Sequence, residues 1–192
     1  MSKKKKSGSA IFMYCVIALM VSVTAVCFGL YYTGVLKNGV VLWTGVTAFT
    51  VTYHFWGRII LGNVTKLFRI HSGQRWFKER KFEKKLYKLL RVRKWKEKVL
   101  TYDPDAFDVN KHTLEEIANT MCKAETDHWV IEVLSHTTLL FAIPWGEFPI
   151  FLVTAILAML FDAQFIVVQR YNRPTVMRVI AKRNRRKDEK TA

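Results

Sequence analysis

Four long apolar stretches dominate this chain and restrict what it can fold into. They lie at about residues 10–33, 40–61, 128–143 and 149–168. About 20 apolar residues in a helix cross the hydrocarbon core of a bilayer, and a small soluble domain has no use for several such runs. Lipid offers backbone polar groups no partner, so each stretch is expected to be helical. The sequence therefore predicts an all-α integral membrane bundle of four transmembrane helices, with residues 1–192 forming a single membrane domain.

The positive charges lie almost entirely on one side of these stretches. Of the 31 Lys and Arg residues, only Lys37 lies in the connections between the first and second stretches and between the third and fourth. Cytosolic segments of membrane proteins carry an excess of Lys and Arg. We therefore expect a multi-pass protein of the cell membrane with both termini in the cytosol, a cytosolic segment at 62–127 and a basic cytosolic tail at 175–192.

The net charge of +16 is compatible with two classes of partner. Strongly basic chains often bind nucleic acid, but the anionic headgroups of the inner leaflet also attract a nearby Lys or Arg, by ~1 kcal/mol each. The apolar stretches favour lipid, so we expect membrane lipids as partners and no nucleic acid. Lys3 to Lys6 precede an apolar run that exceeds the ~7–15 residues of a signal peptide, which predicts an uncleaved first span.

The segment from Arg75 to Lys98 is predicted to form a basic amphipathic helix. Lys and Arg far outnumber Glu in this segment. Its apolar side chains recur at helical spacing, at Phe82, Leu86, Leu89 and Leu90. Further apolar residues widen this face: Trp76, Phe77, Tyr87, Val92 and Trp95. Such a helix lies in the plane of the membrane surface, here on the inner leaflet. A solvated charged face with ordinary apolar anchors and a dedicated substrate-binding surface both fit this pattern.

The sequence predicts that a helix begins shortly before the third apolar stretch. Thr113 and Glu116 have the spacing of a capping box, in which each residue satisfies a backbone N–H of the other. No turn signal follows before the stretch begins. The sequence therefore predicts a helix that runs into the third span without a break.

Ionisable residues form stripes along two of the predicted spans. The first stripe has spacings of three and four residues, which place its members on one helical face: Glu125, His128, Glu132 and His136. The second stripe lies on the fourth span and consists of Asp162, Gln169 and Arg173. Ionisable groups in lipid cost ~2.5–3.5 kcal/mol each, so they should face one another. We expect a polar seam, with His54 of the second span beside it, that is either a functional site or a structural network.

The spacing Glu125-x-x-His128 fits two kinds of chemistry. It places a carboxylate and an imidazole on one helical face, as a general base with an orienting acid requires. It also resembles half of a carboxylate–histidine di-iron site. A di-iron site would need a second Glu-x-x-His, and the sequence contains none. We therefore expect acid–base chemistry, with no metal and no cofactor.

Three motifs together resemble those of a known family. They are Val92-Arg93-Lys94-Trp95-Lys96, Glu125-x-x-His128-Trp129 and Gln169-Arg170-Tyr171-Asn172-Arg173-Pro174. In this order they resemble the small bacterial membrane acyltransferases typified by glycosyl-4,4'-diaponeurosporenoate acyltransferase, and the resemblance covers about residues 80–178. That enzyme attaches a fatty acyl group to the sugar of a glycosylated carotenoid in the staphyloxanthin pathway. The chain departs from the pattern in its longer N-terminal hairpin and in Thr175, where a basic residue is expected.

The resemblance and the stripes together imply one mechanism. His128 removes the proton of a hydroxyl on a membrane glycolipid or glycosylated carotenoid, which then attacks an acyl thioester, and Glu125 orients the ring. The expected substrate-binding residues, with the oxyanion donors first, are Arg170, Asn172, Arg173, Gln169, Arg93, Lys94 and Trp95. The expected structural residues of the seam are Asp162, Glu132, His136 and His54. The alternative is a non-catalytic lipid-binding or scaffold protein with the same seam.

Overall fold

The structure is a computed structural model that describes residues 8–99, 101 and 103–191, so Lys3 to Lys6 lie outside it. Every regular element in the described part of the chain is helical, which confirms the all-α class. The α-helices are α1 Gly8–Tyr32, α2 Gly39–Val64, α3 Glu83–Leu89, α4 Val92–Trp95, α5 Leu114–Thr137, α6 Ala142–Trp145 and α7 Phe148–Thr191. Short 3₁₀ helices occupy Thr65–Leu67, Arg75–Phe77, Lys96–Lys98, Pro104–Phe107 and Thr138–Phe141.

Two helices of the described chain are long and apolar enough to cross a membrane. They are Ile11–Tyr32 within α1 and the helix α7. The second predicted span falls in α2, and the third is divided among the end of α5, the 3₁₀ helix Thr138–Phe141 and α6. The count of four spans therefore stays a prediction.

α1 and α2 form the N-terminal hairpin. Gly34 in the connecting turn has φ +81°, a left-handed conformation that glycine adopts without steric cost. The two helices approach closely at Gly45, where a Cβ atom would lie 2.7 Å from the ring of Phe28. α2 in turn packs against α5.

α5 and α7 form the antiparallel pair at the centre of the molecule. The capping box at the start of α5 is confirmed, because Thr113 Oγ1 accepts from the Glu116 backbone and Glu116 Oε2 accepts from the Thr113 backbone, at 3.2 and 2.8 Å. α5 then runs without a break to Thr137. Gly146, at φ +72°, turns the chain into α7.

α7 does not end at Pro174, although proline lacks the N–H that would continue the helical ladder. The helix continues to Thr191 and includes most of the predicted basic tail. The Pro174 carbonyl oxygen accepts a hydrogen bond from Arg178 Nε at 3.1 Å. The flanking Arg170 and Arg173 are fixed by neighbouring elements, as described below, and this anchoring supports the helix around the proline.

The segment 75–98, which we call the collar, is not one amphipathic helix, and that prediction is wrong. Lys78 is extended, at ψ 140°, and Arg91 is left-handed, at φ 50°. These two residues divide the collar into short helices. Its buried side chains are Phe77, Glu83, Tyr87 and Val92, whereas Phe82, Leu86, Leu89 and Leu90 of the predicted apolar face are exposed.

The collar bends because it wraps around the C-terminal half of α7. It meets three consecutive residues of α7, which point about 100° apart. The Phe77 carbonyl accepts from Arg173, the Tyr87 ring lies 5.4 Å from Tyr171, and Lys96 Nζ donates to Asn172 at 3.1 Å. A single straight helix cannot contact α7 in three directions.

Candidate active site

His128 and Asp162 form a pair between α5 and α7. His128 Nδ1 lies 3.0 Å from Asp162 Oδ1. The Asp162 side chain is fully buried, whereas the His128 side chain is 20% exposed. Phe165, on the same helix as Asp162, stacks on the imidazole with a ring separation of 4.5 Å and an angle of 3°. The ring is therefore held in one plane and remains accessible from outside.

This geometry assigns different roles to the two nitrogens of His128. A carboxylate that accepts from Nδ1 keeps the proton on that nitrogen and leaves Nε2 unprotonated and basic. Nε2 makes no hydrogen bond to any residue in the described part of the chain. The pair is therefore arranged to take a proton at Nε2 and to stabilise the imidazolium through Asp162.

Glu125 does not orient the His128 ring, which corrects the sequence-based expectation. Its carboxylate is fully buried. Oε1 accepts from Arg170 Nε at 2.7 Å, and Oε2 accepts from Arg173 Nη1 at 2.5 Å. Guanidinium groups pair strongly with carboxylates in such charge-assisted bonds, so Glu125 turns toward the arginines while Asp162 takes the position beside the imidazole.

Arg170 joins three parts of the molecule. Besides Glu125 it pairs with Glu83 of α3 and donates from Nη2 to the Trp76 carbonyl at 2.8 Å. Its guanidinium also lies 5.8 Å from the centroid of the Trp76 ring. Burial alone would lower the pKa of Arg170, but the hydrogen bond and charge of Glu125, together with the charge of Glu83, raise it. Arg170 is thus charged, and each of its three guanidinium nitrogens donates a hydrogen bond.

Arg173 anchors the collar from a deeper position. It is 3% exposed. Its Nε and Nη2 donate to the Phe77 carbonyl at 3.2 and 2.9 Å, and Nη1 binds Glu125. Each nitrogen of both arginines already donates, so an oxyanion role for either residue stays a prediction that would require these bonds to be shared.

Glu83 and Tyr87 complete this buried cluster. The Tyr87 hydroxyl donates to Glu83 Oε2 at 2.9 Å. Burial, the hydrogen bond to Glu83 and the negative charge of Glu83 raise the pKa of Tyr87. The phenol therefore stays protonated and donates its hydrogen bond to the Glu83 carboxylate. The cluster of Glu83, Glu125, Arg170 and Arg173 contains two charges of each sign, and this balance permits its burial.

A family model described as glycosyl-4,4'-diaponeurosporenoate acyltransferase matches residues 73–182. The match covers more than half of the chain. This protein belongs to that family. No match was found among curated proteins or among solved structures.

The part of the chain shared with the acyltransferase family contains the whole candidate site. The matched residues begin just before the collar, include α5 and end within α7. The three motifs that carry the sequence resemblance all lie inside the match. The hairpin of α1 and α2 lies outside it.

The remaining predicted site residues are distributed over the collar and α7. In the collar, Arg93 and Lys94 are exposed, and Trp95 Nε1 donates to the Leu90 carbonyl at 2.9 Å. Asn172 meets the collar through Lys96, as described above, and Gln169 is half-buried. The structure therefore brings Asn172 together with the collar but leaves Arg93 and Lys94 facing outward.

Two histidines of the predicted seam have other partners. His136 Nδ1 lies 2.8 Å from the Glu132 carbonyl oxygen of its own helix. His54 Nδ1 lies 3.4 Å from Ser135 Oγ. The Glu132 side chain is buried one turn after His128. The part of the seam that joins α5 to α7 through the described contacts is the His128–Asp162 pair and the Glu125 cluster.

The sequence reasoning missed Glu83 and Phe165. Glu83 is the one acid in α3, and the local sequence gives no signal that it faces inward. Phe165 follows Asp162 by three residues and therefore shares its helical face. That spacing was readable, but an aromatic residue in an apolar span does not stand out.

A cavity of about 500 Å³ lies elsewhere, between α1, α2 and α5. Its lining is almost entirely apolar and includes Phe49, Trp56 and Leu134. Leu134 follows His128 by six residues, which places it about 240° around α5. The cavity therefore lies on a different side of α5 from the His128 ring and is not part of the candidate site.

Proposed function

We propose that this protein transfers a fatty acyl group from an acyl thioester to a hydroxyl group of a glycosylated carotenoid or another membrane glycolipid. The observation that carries the proposal is the accessible His128 ring held by the buried Asp162 at 3.0 Å. Membership of a family of acyltransferases supports the reaction class. Because the family segment contains this pair, the pair is the candidate base of the shared chemistry.

The proposed reaction begins with His128 Nε2. It removes the hydroxyl proton as the oxygen attacks the thioester carbonyl, and Asp162 stabilises the resulting imidazolium. The tetrahedral intermediate then collapses, the carbon–sulfur bond breaks, and the imidazolium returns its proton to the leaving thiolate. General base catalysis of this kind contributes typically ~10²–10⁴-fold.

The oxyanion of the intermediate needs a hydrogen-bond donor. Gln169 is our candidate, because it follows Phe165 by one turn of α7 and so lies on the face that carries the stacked ring. Its side chain is half-buried. Asn172, whose Oδ1 accepts from Lys96, retains an amide that can donate. Arg93 and Lys94 are exposed cations that can attract the phosphates of an acyl carrier.

We further propose that the protein works as a four-span enzyme at the cytosolic face of the cell membrane, with both termini in the cytosol. The two apolar helices and the charge asymmetry of the connections support this topology. It places the His128–Asp162 pair near the inner surface, where a water-soluble thioester and a lipid-embedded acceptor can meet.

The test is transfer of a radiolabelled long-chain acyl thioester to a glycosylated carotenoid acceptor in membranes. We expect His128→Ala to lose at least ~100-fold in rate, since base catalysis is removed. His136→Ala is the matched control, because this histidine is on the same helix but bonds its own backbone. Undiminished transfer by His128→Ala would reject the base assignment.

The second candidate is a lipid-binding or scaffold protein without catalysis. One observation favours it: the Glu125 carboxylate is bound by Arg170 and Arg173, so this part of the polar seam has a structural role without any reaction. The same labelled thioester distinguishes the two functions. A covalently acylated lipid that depends on the protein supports the enzyme, and bound but unmodified lipid supports the alternative.

A further inference from the structure

The outward side of α3 presents large apolar side chains. Phe82 and Leu89 are 55% and 79% exposed, and Leu86 and Leu90 lie beside them with substantial exposure. Single exposed apolar residues need no explanation, but a contiguous group of four indicates an interaction surface. The side of α3 that faces the protein is occupied by Glu83 and Tyr87 instead.

Within residues 81–90, the exposed charges around this surface are all positive. Its exposed neighbours along the chain are Lys81, Lys84, Lys85 and Lys88. The one acid of α3, Glu83, is turned inward and neutralised by Arg170. The fold thus buries the one negative charge of α3 and leaves the lysines outside.

The depth of α3 along α7 matches a membrane surface. Tyr87 of α3 contacts Tyr171 of α7, with ring centroids 5.4 Å apart. Tyr171 follows the end of the apolar stretch 149–168 by three residues, which is about 4.5 Å along a helix. α3 therefore lies at the level where the apolar part of α7 gives way to polar sequence.

We propose that the outward side of α3 docks on an anionic lipid surface. Its four apolar side chains enter the boundary between headgroups and acyl chains, and its lysines bind the anionic headgroups. The contact chain from Glu83 through Arg170 to Glu125 then connects this docked helix to α5, three residues from His128. The inference rests on the membrane placement in the proposed function and does not depend on acyl transfer.

The test uses an environment-sensitive fluorophore at Leu89→Cys in the full chain, with the native cysteines replaced. The matched control is Val109→Cys, which is also an exposed apolar position but lies outside the collar. Nanodiscs of phosphatidylcholine with and without phosphatidylglycerol are compared. We expect a blue shift and quenching by a spin-labelled lipid at Leu89, stronger with phosphatidylglycerol, and neither effect at Val109.

A second measurement needs no substitution. Trypsin cleavage of the native protein at the lysines of α3 should be slower in nanodiscs that contain phosphatidylglycerol.

A third measurement tests the role of the lysines. A variant in which Lys81, Lys84, Lys85 and Lys88 are all replaced by Gln should lose the lipid dependence of the Leu89 fluorophore. A water-exposed fluorophore and equal trypsin cleavage in both lipids would overturn the docking and would leave a protein as the occupant of this surface. Neither readout involves catalysis, so failure here is distinct from failure of the acyl-transfer proposal.

Discussion

Replacing Asp162 with Asn tests whether the His128–Asp162 pair acts as a base. The two side chains lie 3.0 Å apart, and the carboxyl group is fully buried. A hydrogen bond to a charged group contributes about 1.5–3 kcal/mol. If that charge develops on the imidazole only in the transition state, its loss slows the reaction by about 10- to 150-fold.

The substitution has a second consequence for the imidazole. An asparagine amide that donates to Nδ1 leaves the ring proton on Nε2, where the base must be unprotonated. The full contribution of base catalysis, ~10²–10⁴-fold, is then lost. We therefore expect kcat to fall by at least about 10-fold and by as much as 10⁴-fold, with little change in KM for the thioester.

The assay is steady-state acyl transfer by protein purified in nanodiscs, with thermal unfolding as the check on folding. Asp105→Asn is the matched control, since it neutralises a half-exposed aspartate that pairs with Lys111 outside the site. An unchanged kcat in Asp162→Asn, alongside an inactive His128→Ala, would refute the idea that the carboxylate supports the imidazolium.

Two further predictions concern the collar and the buried thiol. Arg91→Gly should leave the thermal stability unchanged or raise it, because Arg91 is left-handed at φ 50° and glycine adopts that conformation without strain, whereas Arg91→Val should lower it. Burial raises the pKa of the Cys122 thiol to about 11. In a variant that lacks the other two cysteines, the rate of maleimide labelling should be low at pH 8 and should rise about tenfold per pH unit up to pH 10. Labelling should become fast when the protein is denatured. Rapid labelling of the folded protein at pH 8 would contradict the burial of this thiol.

The elements that depend on local sequence were predictable. The capping box at Thr113 and Glu116 involves residues three apart, so both partners are visible in one stretch of sequence. The collar was predicted as one helix because its apolar residues repeat at helical spacing. The contacts with three sides of α7 divide this predicted helix into short pieces. Contacts between residues distant in sequence leave no periodic signal in the sequence. The same contacts explain why Glu83 and Tyr87 are buried while Leu89 is exposed.

The candidate site was predictable in its residues but not in its pairings. Helical spacing placed Glu125 and His128 on one face and Asp162 and Arg173 on another, and these two faces meet. Which groups pair depends on how far α5 is shifted along α7, and sequence spacing within each helix does not determine that shift. The expectation for Glu125 was wrong for this reason, since the arginines lie opposite it and Asp162 lies opposite His128.

The Glu125 cluster fixes the shift between α5 and α7, and this defines a test that separates position from proton transfer. His128 follows Glu125 by three residues, about 4.5 Å along the helix. Glu125→Gln presents an amide N–H to a guanidinium donor and leaves one buried arginine charge uncompensated. We expect the free energy of unfolding to fall by about 3–5 kcal/mol.

Activity should fall in the same variant because the imidazole is displaced. Glu125→Gln is therefore expected to lower both the free energy of unfolding and kcat, whereas Asp162→Asn lowers kcat by removing the carboxylate that holds the imidazole proton. The measurement is kcat and thermal unfolding of both variants, with kcat taken at a temperature where each is folded. A lowered stability with an unchanged kcat in Glu125→Gln would show that the arginine contacts of Glu125 do not position His128.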